Sequence, residues 1–397
     1  MRILFLTQRL PYAPNRGDRI RALQELRFLA RRHEVAVASL VHDDEEASHA
    51  GDLDSIAAET VVAPIPKILN RGRALLALPG RRPLTHVLLD SPAMRPALER
   101  LVRRRPPDVI LAFCSSMARF AFAPPLDRFP TVIDMVDVDS AKWADLSRRA
   151  APPMRWIYAR EARVLAAFET RAAGLARATF VVNARERDTL AGLGAPKPVH
   201  VIENGIDLAY FAPAGVAPAS RTVVFCGVMD YTPNEAGAIW LARDVWPRVR
   251  QAVPDAALAL VGARPTSRVK GLASTDQGIS VTGEVPDVRP HLWSAAVSAA
   301  PLHVARGLQN KVLEAVAAGL PAVVTAAVHQ GLPGEVLPAC VMADEAEAFA
   351  GAIVRLLRST VAERVALIER CDMASLGWET KLGPLADLIE QAAAPAR

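Results

Sequence analysis

Short apolar runs alternate with charged helical stretches along this chain, and the alternation occurs twice. The first series is Arg2 to Gln8, Glu34 to Val41, Thr60 to Ile65, Asp108 to Phe113 and Thr131 to Val136, followed by Thr179 to Asn183 and Val199 to Glu203. Each run reads as a strand, and strands separated by helices assemble into a parallel, doubly wound sheet. A turn at Asn204, Gly205 and Asp207 leads into a linker around Pro213 and Pro218. A second series follows: Thr222 to Val228, Ala257 to Val261, Ile279 to Thr282, Ala295 to Pro301 and Ala322 to Thr325. The chain has 397 residues, beyond the ~250–300 at which single cores split. The expectation is an α/β protein of two domains, 1–210 and 220–375, with a helical segment 376–397 packing back on the first.

The stretch from Ala295 to Thr325 carries the clearest chemical signal. An apolar strand leads through Gly307 into a helix with Asn310 as its expected N-cap, and the helix stops at Gly319. Val312, Leu313 and Val316 form the inward stripe, which turns Glu314 toward the edge of a cleft. One turn away lies a helix start whose free N–H groups attract phosphate. A carboxylate there suits a ribose diol. The same segment also reads as an ordinary strand-helix-strand unit, with Glu314 a solvated first-turn acid favoured by the helix dipole.

Four widely spaced cysteines, Cys114, Cys226, Cys340 and Cys371, make no CxxC pair, which argues against zinc and for a reducing compartment. No apolar run approaches the ~20 residues needed to span a bilayer. The start, MRILFLTQRL, looks like a first strand rather than a signal peptide. A cytoplasmic protein is expected. Net charge is +5, and arginines cluster in the first half: Arg71, Arg73, Arg81 and Arg82; Arg100 and Arg103 to Arg105; then Arg148, Arg149, Arg155, Arg160 and Arg163. Leu75, Leu76, Leu78, Met154, Trp156, Ile157 and Tyr158 are interleaved with them. Such clusters suit an anionic membrane surface, or are solvated helix faces. No motif of a nucleic-acid binder accompanies them.

The ordered segments NRGDRIR (Asn15 to Arg21), YAREARVLAAFE (Tyr158 to Glu169), VIENGID, VFCGVMDYTPN (Val224 to Asn234), GEVPDV (Gly283 to Val288), GLQNKVLEAVAAGLPAVV (Gly307 to Val324) and Gly377-Trp378-Glu379 resemble GT-B glycosyltransferases of family 4. More narrowly they resemble sugar transferases associated with PEP-CTERM and exosortase loci. The resemblance covers nearly the whole chain. It implies two Rossmann-like domains facing a central cleft, a nucleotide-diphosphate sugar donor, UDP- or GDP-linked and held mainly by the second domain, and retention at the anomeric carbon with no required metal or cofactor. A lipid-linked glycan acceptor in exopolysaccharide biosynthesis, met on the inner face of the cytoplasmic membrane, completes the expectation.

By that resemblance Glu314 matches the second acid of a paired-glutamate motif, while the first acid is replaced by Arg306. Gly307, Leu308, Gln309, Asn310 and Lys311 would lie beside the diphosphate and sugar. Gly17, closing a lid-like loop from Pro11, together with Asn204, Gly205 and Gly227, would add donor contacts. Where the family has an Arg and then a Lys against the diphosphate, this chain has Met229 and Asn234. The missing charge matters, because fixed positive groups at a leaving diphosphate supply much of the rate. Lys311, Arg306 or a first-domain arginine would have to compensate.

In TVIDMVDVDSAKW (Thr131 to Trp143), Asp137 and Asp139, with Asp134 before them, stand where the family often has a histidine. They read as acceptor or sugar ligands, as a metal-binding DxD pair, or as loop caps. His42, Asp43, Asp44, Glu45, Glu46 and His49 have the composition of a metal site, but also of a helix start. No GxSxG, GxGxxG or GxxxxGK[ST] is present, which argues against hydrolase, dehydrogenase and P-loop chemistry. Two rival functions remain: a nucleotide-sugar epimerase and a non-catalytic nucleotide-sugar sensor.

Overall fold

The structure, a computed structural model, describes residues 1–12, 17–213, 215, 220–274, 276, 278–305 and 308–394. It divides into two compact units, Met1–Asn204 with Lys381–Arg397, and Gly205–Thr380.

The first unit holds a seven-stranded parallel sheet of β1 (Arg2–Thr7), β2 (Glu34–Val41), β3 (Glu59–Pro64), β4 (Val109–Phe113), β5 (Thr131–Val136), β6 (Ala178–Val181) and β7 (Val199–Val201), in the order β3-β2-β1-β4-β5-β6-β7. Ile3 to Leu6 and Val109 to Ala112 are wholly buried. A parallel strand covered by helices on both faces needs such a continuous apolar run, which is why these strands are visible in the sequence. The second unit holds β8 (Thr222–Cys226), β9 (Ala257–Val261), β10 (Ile279–Val281), β11 (Val297–Ala300), β12 (Ala322–Val324) and β13 (Cys340–Met342), in the order β10-β9-β8-β11-β12-β13. Every expected strand is present, most of them trimmed at an end. The edge strand β13 was not anticipated; it has three residues and only half-buried side chains at its start.

In both sheets the winding reverses beside the first strand, at β1/β4 and at β8/β11. Ligands of doubly wound folds bind outside the carboxyl ends of the strands at such points.

The last segment is three pieces rather than one helix: a turn at Ala374–Leu376, then helices Trp378–Lys381 and Gly383–Ala393. The last one packs on β4 and β5 of the first unit. Among the described residues no helix is long and apolar enough to cross a membrane.

Candidate functional site

Beside the β8/β11 reversal of the second sheet lie several of the residues expected to hold the donor. After Cys226 the chain turns at Gly227, whose N–H donates to the Val261 carbonyl at 3.0 Å. Gly227 abuts Gly262, where a Cβ would stand 1.8 Å from the Gly227 carbonyl oxygen and φ is +147°. A Cβ on Gly227 itself would come within 2.9 Å of Asn234 Nδ2. Only glycines allow these two loops to meet there.

Asn234, buried near the start of helix Thr232–Trp240, donates from Nδ2 to the Val228 carbonyl at 2.9 Å. Its Oδ1 accepts a hydrogen bond from Lys311 Nζ at 2.7 Å. The ammonium also lies 5.0 Å from the centroid of the Phe225 ring. Among the described residues Lys311 makes this one hydrogen bond and no ion pair, so two of its three N–H donors are open to a ligand. Burial lowers its pKa to about 8 against the opposing pull of Cys226 and Glu314. Burial raises the Glu314 pKa, with Lys311 lowering it in part, and pushes the Cys226 thiol up to about 12. A half-satisfied cation and a carboxylate thus stand one turn apart on the helix that follows β11.

Helix Asn310–Ala317 carries both groups, with Val312, Leu313 and Val316 buried beneath it as expected. Its cap differs from expectation. Gln309, not Asn310, has the non-helical cap geometry (φ −93°, ψ 83°), and its side chain makes no capping hydrogen bond. Asn310 is instead the first helical residue and is exposed, as is Leu308. Arg306 and Gly307 lie outside the described residues.

Four other residues were expected at the donor. Met229 is wholly buried in the core of the second unit, its N–H bonded to the Ala263 carbonyl, so its side chain is packing rather than ligand contact. Gly205 is small for a packing reason: a Cβ there would meet the Trp378 backbone at 2.5 Å, beside the bridge between Ile206 and Gly377. Asn204 accepts from Arg21 Nη1 at 2.8 Å through its side-chain oxygen. Gly17 opens helix Gly17–Ala30 after β1.

In the first unit, the carboxyl ends of β4 and β5 carry two non-glycine residues in left-handed backbone, Cys114 (φ 70°) and Val136 (φ 62°). Such strain collects at functional sites. Asp134 is not a ligand group: it is buried, accepting from Arg21 Nε at 2.6 Å and from the Val136 N–H at 2.8 Å. Glu25, also buried and 3.1 Å from Arg21, has a strongly raised pKa because of burial and of Asp134. The exposed side of the loop presents Asp137 and Asp139, and both carboxylates face one ammonium, Lys142 Nζ, at 2.9 and 3.2 Å. Burial works against that charge, but Asp139 and Asp137 outweigh it and the Lys142 pKa is raised.

Two glutamates missed in the sequence hold this loop from behind. Glu186 accepts from the Val138 N–H at 2.8 Å, and buried Glu169 accepts from Ser140 Oγ at 2.5 Å. Burial raises the Glu169 pKa to about 7 despite the Ser140 hydrogen bond. Beyond the end of β2, Asp43 caps helix Asp44–Ser48, as its helix-start composition suggested, while Glu46 is buried against Arg9 and Arg19.

Residues 20–210 match the family Glycosyltransferase Family 4, and residues 220–359 match Glycosyl transferases group 1. Together the two matches take in most of the chain. A sucrose-phosphate synthase from Thermosynechococcus elongatus has the same fold, with a TM-score of 0.63 at 18% identity over 98% of this chain and 99% of that one. The chain is a GT-B glycosyltransferase. This glycosyltransferase is also similar to Anabaena HepE, solved in complex with UDP-glucose, with a TM-score of 0.59 at 15% identity over 98% and 100% of the two chains. WaaG, a glycosyltransferase involved in lipopolysaccharide biosynthesis, gives a TM-score of 0.56 at 17% identity, covering 98% of each chain. No curated protein matches the glycosyltransferase in sequence.

Proposed function

We propose that this glycosyltransferase moves a sugar, with retention at the anomeric carbon and without a required metal, from a UDP- or GDP-linked donor to a lipid-linked polysaccharide acceptor in exopolysaccharide biosynthesis. The observation that carries the reading is Lys311: a half-buried ammonium that among the described residues makes no ion pair, hydrogen-bonded to Asn234 beside a helix start where the Gln309 side chain makes no capping hydrogen bond. A diphosphate complements that arrangement, since phosphate oxygens take both the ammonium donors and the first-turn N–H groups. Glu314, one turn along, accepts from the ribose hydroxyls. The UDP-glucose complex of HepE supports a nucleotide-sugar donor of this kind.

The chemistry follows from charge. As the glycosidic bond breaks, negative charge grows on the leaving phosphate and positive character on the sugar carbon, and a preorganised ammonium stabilises the former. Lys311 stands next to the position where related enzymes carry a lysine and this chain has Asn234, so the charge reaches the same place from a different helix. On the acceptor side, Asp137 and Asp139 accept from sugar hydroxyls. Lys142 already bridges both carboxylates and offsets one of their two charges, which favours this role over a manganese pair.

The test is transfer in EDTA with the product's anomeric configuration read by NMR. Turnover is expected to persist and the configuration to be retained. Loss of activity in EDTA that manganese restores and that Asp137→Ala abolishes, or an inverted product, would overturn the mechanism.

A further inference from the structure

Helix Lys67–Ala77 (KILNRGRALLA) is held to the first unit along one side only. Asn70 is buried and donates from Nδ2 to the carbonyls of Leu88 at 3.1 Å and Asp90 at 2.7 Å. At the far end Arg160 donates to the carbonyls of Ala77 at 3.0 Å, Leu78 at 2.8 Å, Gly80 at 2.6 Å and Arg82 at 3.0 Å. These bonds satisfy carbonyls that a helix end leaves open. At about 100° per residue, Asn70 and the half-buried Ala74 and Ala77 share the inward side.

The opposite side is apolar and uncovered. Ile68 is 87% exposed, Leu69 57%, Leu75 69% and Leu76 84%. A surface helix of a globular protein turns its apolar stripe to the core; this one turns it away. Lys67 and Arg71 flank the stripe on one edge and Arg73 on the other, and the helix contains no acidic residue. Among the described residues Lys67 and Arg71 make no ion pair, while Arg73 lies 3.6 Å from Asp90. Trp156, 67% exposed, stands one turn before Arg160 on its own helix, close to exposed Met154. Leu78, Ile157 and Tyr158, which the sequence offered for the same surface, are half-buried.

We propose that helix Lys67–Ala77 lies in the interface of an anionic lipid bilayer, its leucine and isoleucine face among the acyl chains and its basic flanks at the headgroups. An outward apolar stripe between cationic edges is the pattern of an interfacial helix. The unpaired cations, with no acid on the helix to answer them, favour an anionic leaflet over a second copy of the same basic surface. The inference concerns a face of the first unit and stands independently of sugar transfer.

The experiment is co-sedimentation of the full chain with phosphatidylcholine vesicles with and without phosphatidylglycerol, across salt concentrations. Binding is expected to be at least tenfold tighter to the anionic vesicles and to weaken with salt. Ile68→Ser with Leu76→Ser should weaken it at least tenfold, and Lys67→Ala with Arg71→Ala should flatten the salt dependence, with circular dichroism unchanged because these side chains are exposed. Equal partitioning to neutral and anionic vesicles, or binding indifferent to Ile68→Ser with Leu76→Ser, overturns the proposal. So does a dimer in light scattering that the same pair abolishes when no vesicle binding is found.

Discussion

Replacing Lys311 by alanine is expected to lower kcat by about 100-fold to 1,000-fold, the range for removing one preorganised donor from a developing anion. The fold should tolerate the change, since the ammonium is a half-buried charge whose one hydrogen-bond partner among the described residues, Asn234, stays anchored to the Val228 carbonyl. The lowered pKa adds a pH signature. With a pKa of about 8 caused by burial, the protonated form disappears as pH rises through 8, so kcat/KM should fall on that limb. Lys311→Arg should remove the limb, because a guanidinium keeps its charge. Stability moves the other way. Between about 8 and the ordinary lysine value of 10.5 the unfolded chain binds more protons than the folded one, so stability rises with pH across that window. A Lys311→Ala enzyme with unchanged kcat and an unchanged alkaline limb would remove Lys311 from the chemistry.

Glu314→Ala is expected to weaken nucleoside diphosphate binding by about 10-fold to 100-fold, the loss of one charged hydrogen bond worth roughly 1.5–3 kcal/mol. Among the described residues its carboxylate has no hydrogen-bond or ion-pair partner in the protein, so nothing structural is broken by removing it. Calorimetry with the nucleotide that turns over is the check. Affinity equal to wild type would return Glu314 to a first-turn acid that merely favours the helix dipole.

The elements that could be read from the sequence are those whose determinants are local. Ile3 to Leu6 is apolar at every position because both faces of β1 are covered, and the stripe of Val312, Leu313 and Val316 orients helix Asn310–Ala317 without further information. The site depends on pairs far apart in the chain. Asn234 and Lys311 meet across 77 residues, and Arg21 and Asp134 across 113. Neither meeting leaves a local pattern. Met229 failed as a ligand residue for a related reason: position in a motif does not reveal whether a side chain points to the crevice or to the core, and an apolar one goes to the core. Glu169 follows the helical spacing of Leu165 and Ala172, which marked its face as buried, and only the approach of Ser140 explains a carboxylate there. The strained Cys114 and Val136 gave no signal, since neither is a glycine.

Product mass after incubation with a panel of UDP- and GDP-linked sugars and a bacterial lipid extract tests the central claim most directly. The account predicts a lipid-linked product heavier by one glycosyl unit, with stoichiometric release of nucleoside diphosphate, and at least 100-fold less of both with Lys311→Ala. Recovery of the donor as an isomeric nucleotide sugar would identify an epimerase, and tight donor binding with neither product nor diphosphate release would identify a sensor; either result would contradict it.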